Sequence, residues 1–186
     1  MSVKNVFKHI ALVSKHKWVV FKLCCRVGEP WRGLVHDLSK FSPTEFFESI
    51  KYYTGTHSPI KECRNTIGYS KAWVHHVSKN KHHYQHWIDY GKYPKPVVMP
   101  YKYVAEMICD KIAAGIVYEG KKYSDSEPLE YYMVEREYAI IHKCVDKTLI
   151  QVFTQLKENG MKKTLKRKNL KTLYEKNCKK YGNKTY

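Results

Sequence analysis

A histidine and an aspartate stand side by side at His36-Asp37, within the stretch GLVHDLSKFSPTEF, and a lysine follows at Lys40. Imidazole nitrogens and carboxylate oxygens are common ligands of divalent metals, and the two oxygens of one carboxylate can reach two ions. The flanking residues are apolar, so a buried Asp37 needs a cationic partner to stay ionised. The pair therefore predicts either a metal centre or a buried ion pair with Lys40, and the rest of the chain must decide.

Five histidines stand close together in the segment WVHHVSKNKHHYQHW. If this segment is one continuous helix, residues seven apart nearly share a face, so that His75 pairs with His82 and His76 with His83. These four are candidate metal ligands, and the sequence leaves open which of them face inward. The alternative is a solvated helix face that happens to be rich in histidine.

Two carboxylates, Glu106 and Asp110, stand four residues apart in EMICD and share one face of a predicted helix. Like charges at this spacing repel each other, so a cation between or beside them is one interpretation. The other is a solvated face on which Lys102 and Lys111 balance the charge.

Taken in order, these motifs resemble the HD-domain superfamily of metal-dependent phosphohydrolases. Its pattern runs from a histidine through an HD pair and further histidines to a distant aspartate, on an all-helical core. The stretches HDLSKFSPTEF, AWVHHVSKNKHHYQHW and PYKYVAEMICD resemble more closely an uncharacterised HD-type domain family, over about residues 5 to 120. This closer resemblance implies a fold more strongly than an activity.

The resemblance implies a centre of one or two divalent ions. In it, Asp37 would bridge a first ion to a second ion held by the histidine cluster. His9 stands seven residues before His16 and is an alternative first ligand. The ligands implied in this way are His16, His36, Asp37, His75, His76, His82, His83 and Asp110.

The resemblance also implies the chemistry. A metal-activated water would attack the phosphorus of a nucleotide or a related phosphoester. Asp37, Lys40 and Glu106 would be the catalytic residues: Lys40 would bind the anionic group of the substrate, and Glu106 would orient a ligand or the water. A donor set of imidazoles and carboxylates fits manganese, iron, cobalt, nickel or zinc. Two alternatives stay open: an HD-fold di-iron oxygenase, and a non-catalytic protein that binds nucleic acid or nucleotides.

The formal net charge of +17 attracts anions over long range. Residues 161–186 carry ten lysines or arginines and one acidic residue, so this segment supplies about half of the excess. We expect it to form a basic C-terminal helix or a tail, and nucleic-acid phosphates are its predicted partner. The remaining 1–160 are predicted to form one HD-like helical domain.

Apolar spacing near 3.6 residues predicts an all-α fold in a single domain, and the resemblance implies a compact helical bundle of HD-domain type. A first helix is expected to end at Gly28 and Pro30. Further helices are expected over residues 31–40, from the capping sequence at Ser42-Pro43-Thr44-Glu45 to about 53, over 62–90 as one or two helices, and over 101–118 and 129–158. Six irregularly spaced cysteines without a CxxC pair predict reduced thiols and a cytoplasmic protein. No apolar run approaches the ~20 residues of a membrane span, so no membrane partner is expected.

Overall fold

Helices form most of the chain in a computed structural model that describes residues 3–181, and the all-α prediction is confirmed. Two antiparallel strands of two residues each, β1 (Ile88–Asp89) and β2 (Lys95–Pro96), are the exception within that range. The helices are α1 (Val3–Arg26), α2 (Pro30–Val35), α3 (Pro43–Lys51), α4 (Pro59–Ile67), α5 (Lys71–Lys79), α6 (Tyr101–Glu119), α7 (Glu127–Arg136), α8 (Lys143–Thr164) and α9 (Arg167–Cys178).

The core lies between α1, α6, α8 and α9. Helix α6 packs against α1, α2, α7 and α9, and α8 packs against α7 and α9. Each fully buried aliphatic or aromatic side chain contributes roughly 1.5–3 kcal/mol to folding. The most deeply buried residues include Val20, Cys24, Ile108, Ile112, Leu149, Phe153, Leu170 and Tyr174. The centre of α6 is thereby held rigidly, which matters because it carries two of the candidate site carboxylates.

Helix α2 lies close against α1, and a glycine allows this approach. A Cβ atom added at Gly33 would lie 2.8 Å from the Cβ of Cys24 and 2.8 Å from the Cα of Phe21. Gly28, with φ +77°, follows the end of α1, and Pro30 opens α2. These two residues stop the first helix as the sequence predicts.

The predicted helix over residues 31–40 is wrong in one respect, because it breaks at the HD pair. Helix α2 ends at Val35, and Asp37 has left-handed backbone angles (φ 52°, ψ 30°). A 3₁₀ turn, Leu38–Phe41, follows it. Aspartate tolerates this conformation better than most residues. Helix α3 then starts at the predicted cap, where Ser42 Oγ accepts from the Glu45 amide at 3.5 Å.

Two further predicted helical segments are interrupted. The segment 62–90, predicted to form one or two helices, contains the end of α4 and then α5, which stops at Lys79, so the histidine cluster does not lie on one helix. The segment 129–158 is split between α7 and α8, with no glycine or proline at the break. Arg136 donates to both carboxylate oxygens of Asp146 at 2.7 and 3.0 Å, and the His142 side chain caps α8. These side-chain contacts hold the turn between the two helices.

The basic C-terminal segment contributes the end of α8 and the whole of α9. Helix α8 has a non-helical residue at Gly160 (φ 74°), next to the predicted end of the main domain. Helix α9 then buries Leu170, Tyr174 and Cys178 in the core. Residues 182–186 of the segment predicted to be a basic helix or tail lie outside the described residues. Within the described part of the chain, no helix combines the length and the apolar character that crossing a bilayer requires.

Candidate metal centre

Helix α2 ends before the HD pair, and the side chains of His36 and Asp37 lie in the interior of the bundle. His36 is fully buried and Asp37 is 1% exposed. The side-chain amine of Lys17, on α1, donates to the carbonyl oxygen of His36 and so fixes the turn from outside. Lys40 Nζ lies 2.6 Å from Asp37 Oδ2. Both interpretations of Asp37 therefore remain compatible with the structure. Oδ2 forms a buried ion pair with Lys40, and Oδ1 has no hydrogen-bond partner.

A first set of ligand atoms joins α1, the HD turn and α6. His16 Nε2 lies 2.9 Å from Asp110 Oδ1. His36 Nε2 lies 3.4 Å from Asp110 Oδ1 and 3.4 Å from Asp37 Oδ2. One atom from each of these four residues falls within 4.8 Å of the others. The structure therefore brings together the four residues that the sequence predicts for the first ion.

A second set lies on the other side of Asp37. His76 Nε2 and His82 Nε2 lie 3.4 and 3.5 Å from Asp37 Oδ1. His83 Nε2 lies 2.9 Å from His76 Nε2. These four residues again place one ligand atom each within 4.8 Å. His76 and His83 meet because the chain turns back after α5, and not because they share a helix face.

Several atoms of this cluster are buried without a hydrogen-bond partner: His36 Nε2, His82 Nε2 and Asp37 Oδ1. A buried polar atom left unpaired costs about 1–3 kcal/mol. They lie 3.4–3.5 Å from the nearest ligand atoms of the cluster without forming hydrogen bonds to them. Ligands held at roughly 2.0–2.1 Å around a tetrahedral ion stand about 3.3 Å apart. The unpaired atoms thus have the spacing of metal ligands, and the residues present fit a metal.

Glu106 lies behind the two central imidazoles. Its Oε1 lies 3.0 Å from His36 Nδ1 and 3.2 Å from His82 Nδ1, and its Oε2 accepts from Arg32 Nε at 2.7 Å. Glu106, His36 and His82 form a third group that could hold a metal. An ion there would lie beside the guanidinium of Arg32, and repulsion between the two positive charges disfavours this site. Glu106 instead fixes the ring of His36 through the hydrogen bond at Nδ1 and leaves its Nε2 facing Asp37, as a carboxylate beyond a ligating histidine does.

Glu45 has the same role for the second set, and sequence reasoning assigned it only to the helix cap. Its side chain is buried, with Oε2 2.7 Å from His76 Nδ1 and Oε1 2.7 Å from His75 Nδ1. Asn80 Nδ2 donates to Ser39 Oγ at 2.6 Å and to the carbonyl oxygen of His76 at 2.9 Å. The one sequence signal for Glu45 was an acidic residue three positions after the cap, facing inward.

The charges of the cluster shift the ionisation of its members strongly. Burial lowers the pKa of His36, but Asp37, Asp110 and Glu106 outweigh burial and raise it to about 10. Burial raises the pKa of Asp37, yet His36 and Lys40 hold it well below the usual range. Burial likewise opposes ionisation of Glu106, and hydrogen bonding to the imidazoles lowers its pKa to about 2. The carboxylates are thus anionic and require cations.

Two further histidines are held neutral. Burial, aided by the nearby His82 and His76, lowers the pKa of His83 well below its usual value. Burial also lowers the pKa of His16, although Asp110 opposes it. Neutral imidazole is the form that binds a metal. Both residues are therefore in the ligating state near neutral pH.

Five of the ten histidines stay outside the two sets, and three of these five stand among or beside the predicted ligands. His75 faces Glu45 and joins neither group, so the structure does not bring this predicted ligand to the centre. His9, the alternative first ligand, packs against the rings of Phe46 and Tyr53. His86 Nδ1 lies 3.0 Å from the carbonyl oxygen of Val77. The choice between His9 and His16 therefore favours His16.

The centre opens towards solvent on one side. The side chains of Lys40 and Asp110 are 27% and 19% exposed, whereas those of His36, His82 and Glu106 are fully buried. The first set offers two nitrogens and two oxygens, and the second offers three nitrogens and one oxygen. Such sets, without a thiolate, suit manganese, iron, cobalt, nickel or zinc.

Comparison with known proteins gives one match. Residues 5–155 match the family described as "Family of unknown function (DUF5662)", which covers most of the chain and nearly the whole candidate centre with its supporting helices. No curated protein and no solved structure matches the chain. The chain belongs to the DUF5662 family.

Proposed function

We propose that this protein is a metal-dependent phosphohydrolase of the HD type, which acts on a nucleotide or a related phosphoester. The observation that carries the proposal is the position of Asp37. Its Oδ2 faces the first set through His36, and its Oδ1 faces the second set through His76 and His82. One buried carboxylate between two ligand sets is the arrangement of a two-ion hydrolytic centre.

The divalent ions would supply a water of lowered pKa and would neutralise charge on the phosphoryl group. The chain's own residues would do the rest. Glu106 and Glu45 hold the imidazoles in one orientation, so the ligand atoms need little rearrangement. Burial of the centre strengthens each electrostatic contact within it.

Lys40 is the residue proposed to bind the substrate anion. It lies beside Asp37 at the open side of the centre, next to Asp110. A phosphoryl group that approaches from this side meets the ammonium of Lys40 before it meets the buried histidines. The net charge of +17 favours its approach. The cytoplasm is the compartment we propose, from the irregular spacing of the six cysteines.

The proposal is tested first by metal analysis of protein purified without a histidine tag. Release of phosphate from nucleoside mono- and triphosphates, cyclic nucleotides and generic phosphoesters is then measured with Mn²⁺. Lys40→Gln should retain the metal and lower kcat/KM by about 100-fold, because a charged contact to the transition state is lost. Lys61→Gln, at an exposed site on α4, is the matched control and should be unchanged.

Other outcomes of the same experiment would replace the proposal. Absence of metal binding would remove both enzyme functions and favour a basic binding protein. Oxygen consumption by the Fe²⁺ form, without phosphate release, would favour the di-iron oxygenase. Phosphate release that persists in Asp37→Ala would trace the activity to a contaminant.

A further inference from the structure

A cavity of about 240 Å³ lies away from the candidate metal ligands, between the start of α8 and the end of α9. Within residues 3–181 no carboxylate lines it, and neither helix carries a candidate metal ligand. Its lining residues are Lys143, Cys144, Lys147, Lys176, Asn177, Lys180 and Tyr181.

The four lysines of this cavity are not neutralised by the protein. Among the described residues, none of them lies within salt-bridge distance of a carboxylate. Two of the three acidic residues on the same helices have other cations nearby: Asp146 accepts from Arg136, and Glu175 lies 3.8 Å from Lys171. The third, Glu158, stands near the other end of α8. Like charges collected at one cavity repel each other, so they add nothing to folding. An anion in the cavity would relieve this repulsion.

An aromatic ring holds two of the cations in place. The Nζ atoms of Lys143 and Lys180 lie 5.3 and 5.2 Å from the centroid of the Tyr181 ring. His142 contacts the same ring edge-on at 4.8 Å. Cation–π contacts of this kind contribute at exposed sites and restrict where a lysine head group lies. Two ammonium groups are thereby kept on one wall of the cavity.

The size of the cavity limits what it can hold. Sites for drug-sized ligands have volumes of roughly 300–1,000 Å³. At about 240 Å³ this cavity falls below that range. It offers four ammonium groups, and the aromatic ring in its lining, that of Tyr181, already contacts Lys143, Lys180 and His142. We propose that it binds a short chain of phosphates, such as a di- or triphosphate group, as a site separate from the metal centre. The phosphates come from a free small anion, and the experiment distinguishes this source from a nucleic-acid backbone.

The test uses the full chain after dialysis against a chelator, so that no ion at the metal centre contributes. Binding of inorganic tripolyphosphate and of a single-stranded deoxythymidine oligonucleotide is measured by calorimetry at two salt concentrations. Lys143→Gln/Lys180→Gln should weaken tripolyphosphate binding by at least about tenfold, because two charged contacts are lost. Lys162→Gln/Lys163→Gln removes the same charge from the other end of α8 and should change the affinity less than about twofold.

A second measurement does not depend on the variants. Amine acetylation followed by mass spectrometry should show tripolyphosphate protecting Lys143 and Lys180 but not Lys162. The proposal is overturned if tripolyphosphate does not bind, if both double variants lose affinity equally, or if the oligonucleotide alone binds through these lysines. Because the metal centre is emptied throughout, a failure here leaves the hydrolase proposal untouched, and loss of that proposal leaves this one untouched.

Discussion

Asp37 Oδ2 accepts from Lys40 at 2.6 Å, while Oδ1 of the same carboxylate is buried without a hydrogen-bond partner. The two oxygens of one side chain therefore have different environments. In the protein without a metal, Lys40 and the protonated imidazole of His36, whose pKa is raised to about 10, supply positive charge to a cluster that contains three carboxylates. The unpaired oxygen lies 3.4 and 3.5 Å from the Nε2 atoms of His76 and His82.

Asp37→Asn is expected to abolish binding of both ions, since it removes the charge that the two sets share. Asparagine keeps the shape and tolerates the left-handed backbone at this position. Metal content after dialysis against equimolar Zn²⁺ or Mn²⁺ measures the effect. Asp89→Asn, at an exposed position of β1, is the matched control. Full metal occupancy in Asp37→Asn would rule out Asp37 as the shared ligand.

Glu45→Gln is expected to weaken the second set alone. Loss of a carboxylate behind a ligating histidine lowers metal affinity by about 10–100-fold. The measured stoichiometry should fall from two ions to one at low metal concentration. Ser42→Ala is the control variant on the same helix. It removes the cap of α3 but no contact to a histidine, so it should lower helix stability by about 1 kcal/mol and leave the stoichiometry at two ions. Equal metal losses in both variants would point to a general loosening of α3.

Removal of metal is expected to lower the free energy of unfolding. An ion at 1,000 times its dissociation constant stabilises the folded state by ~4 kcal/mol. The buried atoms left unpaired in the metal-free protein make this state the less stable one. Urea unfolding with and without a chelator measures the difference. Asp37→Asn should show no such dependence, and a dependence equal to the wild type would place the ion elsewhere.

Alkaline pH is expected to destabilise the fold through Tyr132, which belongs to neither ligand set. Its hydroxyl donates to Asp146 at 3.0 Å, and burial, followed by that carboxylate, raises its pKa. A group with a raised pKa contributes stability in full below its unfolded pKa of about 10, and this contribution is lost as pH rises above it. Tyr132→Phe should lose less stability than the wild type between about pH 9 and 11. Tyr138→Phe, at an exposed site, should follow the wild type.

The sequence predicted the residues of the centre better than the elements that carry them. His16, Asp110 and the HD pair were identified because ligand types recur in a recognisable order. The break at Asp37 was missed because a left-handed aspartate has no strong signal in a run of apolar residues. The turn after α5 was missed for a different reason. Asn80 ends that helix through contacts with Ser39, which lies 41 residues away along the chain. Such long-range contacts override local helix propensity.

Glu45 shows a different limit of the sequence. Its backbone amide donates to Ser42 Oγ, as the capping sequence predicts, but its side chain does not complete the capping box and lies against His75 and His76 instead. A local pattern that explains a residue fully gives no reason to look for a second role. Only the packing of α3 against α5 reveals it.

The first ligand set joins His16 and Asp110, which stand 94 positions apart. A ribosome that adds 5–20 residues per second needs about 5–20 s to make the chain between them. During this interval the early histidines exist without their carboxylate partner on α6, and neither set has its full supporting structure. Metal would therefore bind at the first set only after α6 has been synthesised. The metal supply of the cell at that moment, and not during early synthesis, would decide which ion the protein acquires.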